Sequence, residues 1–122
     1  MAAMVSSVSV AAGRKHTDWR ARYPADDPPL ISVDQEGGRV ARLRAPFTEL
    51  PAARVLGQHY ARTGSLDLIA QAGAVTAAEL IAVGINLNYA PVLDIDSNPA
   101  NPVIGDRAFA ADPGPSPPSA MR

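Results

Sequence analysis

Leu30-Ile31-Ser32-Val33-Asp34-Gln35-Glu36-Gly37-Gly38-Arg39-Val40-Ala41-Arg42 is the stretch on which the reading of this chain turns. Leu30–Val33 is short and apolar, the pattern of a strand buried on both faces. It runs into Asp34 and Glu36, and the Gly37-Gly38 pair lets the backbone turn sharply. Asp34–Gly38 is therefore expected to be the turn at the strand's end. Carboxylates at the carboxyl end of a strand sit where barrels of strand–helix units meet substrate. The plainer reading is a strand followed by a polar turn.

Downstream, Val40 and Leu43 offer two apolar contacts. Pro46 and Pro51 bracket Phe47-Thr48-Glu49-Leu50 and predict an irregular, extended segment, and Ala52–Tyr60 is expected to make one or two helical turns. The best helix is Leu66–Val83, where Leu66, Ile69, Ala70, Gly73, Ala77, Leu80 and Ile81 recur at spacings of three and four. Gly73 and the alanines make that face thin enough to lie close against a sheet. Ser65 is the expected N-cap, and Asp67 suits the positive end of the helix dipole. Gly84 is the expected left-handed stop, with Ile85 packing back. Ile85–Leu93 then reads as a second strand, ending on Asp94. Helix, stop, apolar strand and acid make the strand–helix–strand pattern of a parallel sheet, so the fold class is α/β. Ile95–Arg107 is a loop with turn signals at Asn98-Pro99 and Asn101-Pro102. Val103-Ile104 is expected to tuck under it, Gly105 to turn the chain so that Arg107 is presented, and Phe109 to anchor it.

The flanks are different. Met1–Pro29 reads as a poorly structured arm in which Tyr23–Pro29 is rich in proline, His16 has no ligand partner at metal-binding spacing, and Trp19 is a candidate anchor. Residues 111–122 form a Pro/Ser-rich tail read as disordered. The domain between them spans 30–110. With 122 residues the chain is too short for a closed eight-unit barrel, which needs roughly 200. The net charge of −1 comes without a basic run, which argues against nucleic acid as partner. Ten of the eleven basic residues are arginine, which suits bidentate contacts to oxyanions and hydroxyls, although codon bias explains it as well. There is no cysteine, hence no disulfide and no thiolate metal site. No apolar run nears the ~20 residues of a membrane span. Met1–Ala12 lacks the leading positive charge of a signal peptide, which leans the compartment, otherwise open, toward the cytoplasm.

Taken together, Val33-Asp34-Gln35-Glu36-Gly37-Gly38-Arg39-Val40 with Arg42, Leu50-Pro51-Ala52, Ala77-Ala78-Glu79-Leu80, Gly84-Ile85-Asn86-Leu87-Asn88-Tyr89-Ala90-Pro91-Val92-Leu93-Asp94, Asn98-Pro99 and Val103-Ile104-Gly105-Asp106-Arg107-Ala108-Phe109 resemble the family 3 glycoside hydrolases. The similarity is greatest to the bacterial β-N-acetylhexosaminidase branch that recycles peptidoglycan fragments, and it covers roughly Leu30 to Pro113. It implies an incomplete piece of a (β/α)8 TIM-like barrel, about two strands and one to two helices with irregular termini. It also implies retaining hydrolysis of a terminal β-linked N-acetylhexosamine, with a carbohydrate as partner and no cofactor. Carried over residue by residue, it makes Asp34, Arg42 and Arg107 the substrate-binding set. A carboxylate accepts from sugar hydroxyls and a guanidinium donates to them. The structural alternatives are that Asp34 satisfies turn amides, Arg42 is a surface ion-pair partner and Arg107 holds Asp94 or Asp106. Glu36, Glu79 and Asp94 read as structural.

The family's Lys-His-Phe-Pro-Gly-His-Gly segment and its later nucleophilic aspartate do not occur in these 122 residues, so no catalytic residue is expected in this chain. The expectation is a truncated or frame-disrupted fragment without turnover of its own. Competing readings are a family 3 β-glucosidase fragment, a carbohydrate-binding remnant and a small interaction module that uses an apolar helix face.

Overall fold

The computed structural model describes Tyr23, Pro24 and residues 26–114. The elements there are β1 (Ser32–Val33), β2 (Gln35–Gly37), β3 (Val40–Ala41), α1 (Ala53–Thr63), α2 (Asp67–Ala82), β4 (Leu87–Asn88) and a 3-10 turn over Gly105–Arg107. Most of the N-terminal arm, including His16 and Trp19, lies outside the described residues, as does the tail from residue 115.

β1 and β4 pair in parallel, with Ser32 opposite Leu87 and Val33 opposite Asn88. The strand–helix–strand reading is thus met, but β4 is far shorter than the expected Ile85–Leu93. Upstream, Ile85 still belongs to the helix stop. Downstream, Pro91 has no N–H to give a ladder. Side-chain amides lengthen the pairing instead. Asn86 Oδ1 accepts the Ile31 N–H at 2.7 Å while its Nδ2 donates to the Pro29 carbonyl at 3.0 Å. Asn88 does the same with Gln35, accepting its N–H at 3.0 Å and donating to its carbonyl at 2.9 Å. Each amide stands in for a peptide group, because it carries the same donor and acceptor.

A second departure lies in the opening stretch. Where a plain turn was expected at Asp34–Gly38, Gln35–Gly37 pairs antiparallel with Val40–Ala41. Gly37 and Gly38, at φ of 95° and 55°, form the hairpin tip in a region that side-chain-bearing residues rarely adopt. Gln35 is buried and trades two bonds of 3.0 Å with the Leu43 backbone. Segment 42–52 beyond the hairpin is irregular, as the prolines predict.

α1 runs to Thr63 and is longer than the one or two turns expected. α2 matches the expected helix closely. Leu66, and not the expected Ser65, takes the N-cap position, while the Asp67 N–H donates to Ser65 Oγ at 3.1 Å. At the other end the Ile85 N–H reaches the Leu80 carbonyl and the Gly84 N–H reaches that of Ile81, both at 3.0 Å, with Gly84 at φ 85°. This is the Schellman arrangement. It drives Ile85 into the core, where it is 1% exposed beside Ile31, Val33, Leu43 and Leu80, with Phe47 and Val83 packed against the cluster. Burying a side chain of that size contributes about 1.5–3 kcal/mol.

The rest of α2 departs from expectation. Leu80 is its one buried residue, and Leu66 and Ile81 are 59% and 68% exposed. Gly73 gives no close approach, since a Cβ there meets nothing within 4 Å. The physical reason is width: two parallel strands cover only the C-terminal end of a 16-residue helix. Under the overhang lies a cleft of about 350 Å³, walled by Gln35 and Glu36, Leu56 of α1, and Ile69, Thr76 and Leu80 of α2.

Candidate functional site

The carboxyl ends of β1 and β4 open onto one polar rim. Asp34 follows β1 directly, Glu36 stands on β2, Arg42 follows β3, and Asp94 lies on the chain leaving β4. Arg107 closes the 3-10 turn and reaches back to this rim. Its Nε and Nη2 donate to the two carboxylate oxygens of Glu36 at 2.9 and 2.8 Å, and its Nη1 donates to the Val103 carbonyl at 3.2 Å. Glu36 has only 7% of its side chain exposed, and Arg107 has 25%. Arg107 is therefore paired with Glu36, in place of the Asp94 or Asp106 considered from sequence.

The hydrogen bond to Glu36 holds the Arg107 guanidinium above its ordinary pKa; burial works against this, and the charges of Glu36, Asp34 and Asp94 add to it. Asp34 follows β1 and Asp94 lies on the chain leaving β4, at the same end of the parallel pair. Arg42 joins them through Asp34, with Nη2 to Oδ2 at 3.7 Å between half-exposed side chains. At that length the contact is a loose ion pair that leaves both groups open to other partners. Of the three residues singled out from sequence, the structure pairs Asp34 with Arg42, and Arg107 with Glu36, two residues along the chain from Asp34.

Two arginines that sequence reasoning passed over fix the loop that carries Arg107. Arg39, at the hairpin tip, donates to Asp106 at 2.8 Å and to the carbonyls of Pro102, Val103 and Ile104 at 3.0, 2.8 and 3.2 Å. Arg54, in the first turn of α1, donates to Asp96 at 2.8 Å and to the carbonyls of Ala108 and Gly105 at 3.2 and 3.1 Å. Ala108 is fully buried beneath it. Gly57 of α1 lets the chain at Phe109 pass so closely that a Cβ would overlap the Phe109 carbonyl. The loop is anchored there through backbone. Val103, expected to tuck under, is 58% exposed, because its carbonyl and not its side chain makes the contacts. A cation in the first turn of a helix opposes the dipole, and that misplacement was the available sign that Arg54 has a specific partner.

Glu79 accepts from the Thr48 N–H and hydroxyl, the latter at 2.8 Å, and ties segment 42–52 to α2. Among the described residues no cluster of three or more His, Asp or Glu is arranged to hold a metal ion, and no helix is long and apolar enough to cross a membrane.

Comparison with known proteins adds three findings. The family model described as the glycosyl hydrolase family 3 N-terminal domain matches residues 8–116. A protein named beta-hexosaminidase from Nitrosomonas eutropha is 52% identical over 88 residues, 70% of this chain and 25% of that protein. One of the same name from Tolumonas auensis is 47% identical over 92 residues, 75% of this chain and 26% of its own length. The chain thus spans about a quarter of the curated relatives it matches. Among solved structures, a family 3 β-N-acetylglucosaminidase from Paenibacillus sp. superposes with a TM-score of 0.62 at 47% identity, covering 68% of this chain and 15% of that one. Native NagZ from Neisseria gonorrhoeae gives 0.60 at 44% identity, covering 70% and 26%. The α/β architecture, two parallel strands and two helices with a hairpin at the strand end, is a piece of the TIM-like barrel of these proteins.

Proposed function

The chain belongs to glycosyl hydrolase family 3, as part of its N-terminal domain, and from that premise we propose that Asp34, Arg42 and Arg107 hold the terminal sugar of a β-linked N-acetylhexosamine glycan for retaining hydrolysis. Asp34 accepts from ring hydroxyls, and the two arginines donate to them. Held this way, the anomeric carbon is presented in one orientation to whatever group attacks it, a positioning contribution to the rate. The names of the relatives, beta-hexosaminidase and β-N-acetylglucosaminidase, support the choice of sugar. Fragments of peptidoglycan, which carry that sugar, are the natural source of such a glycan.

The observation that carries this reading is that Asp34, paired with Arg42, stands at the carboxyl end of two parallel strands, with Arg107 bound to Glu36 two residues further along. That end of the sheet is where barrels of this type bind substrate. The groups that break the bond are not among these 122 residues, so the chain by itself releases no nitrophenol from a nitrophenyl N-acetylglucosaminide. Titration with N-acetylglucosamine, followed by amide shifts, tests the binding half. Saturable but weak shifts are expected at residues 34–42 and 103–108, lost in Asp34→Ala. Equal binding by Asp34→Ala, or turnover above the buffer rate, would refute the assignment.

A further inference from the structure

We propose that Glu36 is a positioning residue: it grips the Arg107 guanidinium side-on and so keeps it from closing onto Asp34. The inference rests on the reading of Asp34 and Arg107 as sugar-binding groups. Glu36 is bonded to this guanidinium through both oxygens, and the charges of Asp34 and Asp94 also act on it. An unrestrained arginine would pair with whichever carboxylate it reached, and a bidentate pair with Asp34 would block both partners at once.

Glu36 prevents this by geometry. It stands on β2 at the register shift between Gln35 and Gly37, which pair with Ala41 and Val40, and 7% of its side chain is exposed. Both of its oxygens are bonded to Arg107, through Nε and Nη2. The Val103 carbonyl takes a third N–H, through Nη1. A guanidinium has five N–H groups in a fixed plane, so two stay unassigned, one on each terminal nitrogen. Those two are what Arg107 has left to offer a sugar. Among the described residues Asp34 meanwhile keeps only the loose 3.7 Å contact to Arg42, so they leave its acceptor sites available. Glu36 also lines the 350 Å³ cleft.

The test is side-chain NMR on the 122-residue chain labelled at arginine nitrogen. In the parent, the bidentate grip slows rotation about the Arg107 Cζ–Nε bond, and separate signals for its terminal nitrogens are expected. Asp34→Asn in that background leaves them nearly unmoved. In Glu36→Gln one accepting oxygen is replaced by an NH2 donor that faces the guanidinium, the side-on pair is lost, the signals average, and adding Asp34→Asn now shifts them. Affinity for N-acetylglucosamine falls about tenfold in Glu36→Gln, the loss expected for a charged hydrogen-bond pair, while backbone amides outside residues 34–42 and 103–108 hold their positions. Averaged Arg107 signals already in the parent overturn the proposal without any variant. So does Glu36→Gln binding sugar as the parent does. If the parent binds no sugar while the arginine signals behave as described, the sugar-binding reading falls and the orienting of Arg107 by Glu36 stands.

Discussion

The loop over residues 95–108 and the helix α2 make an instructive pair. The loop contains a single 3-10 turn, yet Arg39, Arg54 and Arg107 tie it to the hairpin, to α1 and to β2. The helix is the longest element, yet it buries one residue. Regularity and anchorage are separate properties. A helix satisfies its own backbone locally, whereas a loop's carbonyls need partners from elsewhere. Here the partners are guanidinium groups, each able to serve several acceptors at once.

That contrast is open to attack by mutation, and the largest effect is expected at Arg54. Arg54→Ala strips the loop of three bonds and leaves the half-buried Asp96 without its cation. Among the described residues Asp96 Oδ1 has no partner even with Arg54 in place. A loss of about 3 kcal/mol is expected in urea unfolding followed by circular dichroism, with the helical signal before the transition unchanged. A change below about 0.5 kcal/mol would show that the loop is not held through this residue.

Asn88→Ala is next. It removes the donor and acceptor that extend β4 along Gln35, both partly buried, and about 1–2 kcal/mol is expected from the same measurement. Ile81→Ser should do least. Its side chain is 68% exposed, and a change within about 0.5 kcal/mol is expected. A large loss there would mean that α2 is covered in solution and that the contrast between helix and loop is false.

How much of this was legible follows the same division. The stop of α2 at Gly84 and Ile85 was readable because all its bonds fall within a few residues of one another. Asp34 and Arg107 were readable as chemistry, since an acid after a strand and an arginine after a Gly-Asp turn are local patterns. The hairpin at Gln35–Ala41 was hidden, because Gly37-Gly38 explained a turn and left no reason to look for pairing beside it. The apolar spacing along α2 was read correctly as helix but wrongly as burial; periodicity reports which residues share a face, not whether anything lies opposite. Arg39 and Arg54 were missed for a harder reason. Most of their acceptors are main-chain carbonyls far along the chain, and a carbonyl has no letter in the sequence.

The use of asparagine amides to prolong the β1–β4 pairing carries a liability in time. Asn86 and Asn88 each give a proton to a carbonyl oxygen of the facing segment. Deamidation to aspartate would take that proton away and set a negative charge against the same oxygen. Two slow chemical lesions, with no change in the encoded chain, would then loosen both ends of the parallel pair and leave it to the backbone bonds of Ile31 and Val33 alone.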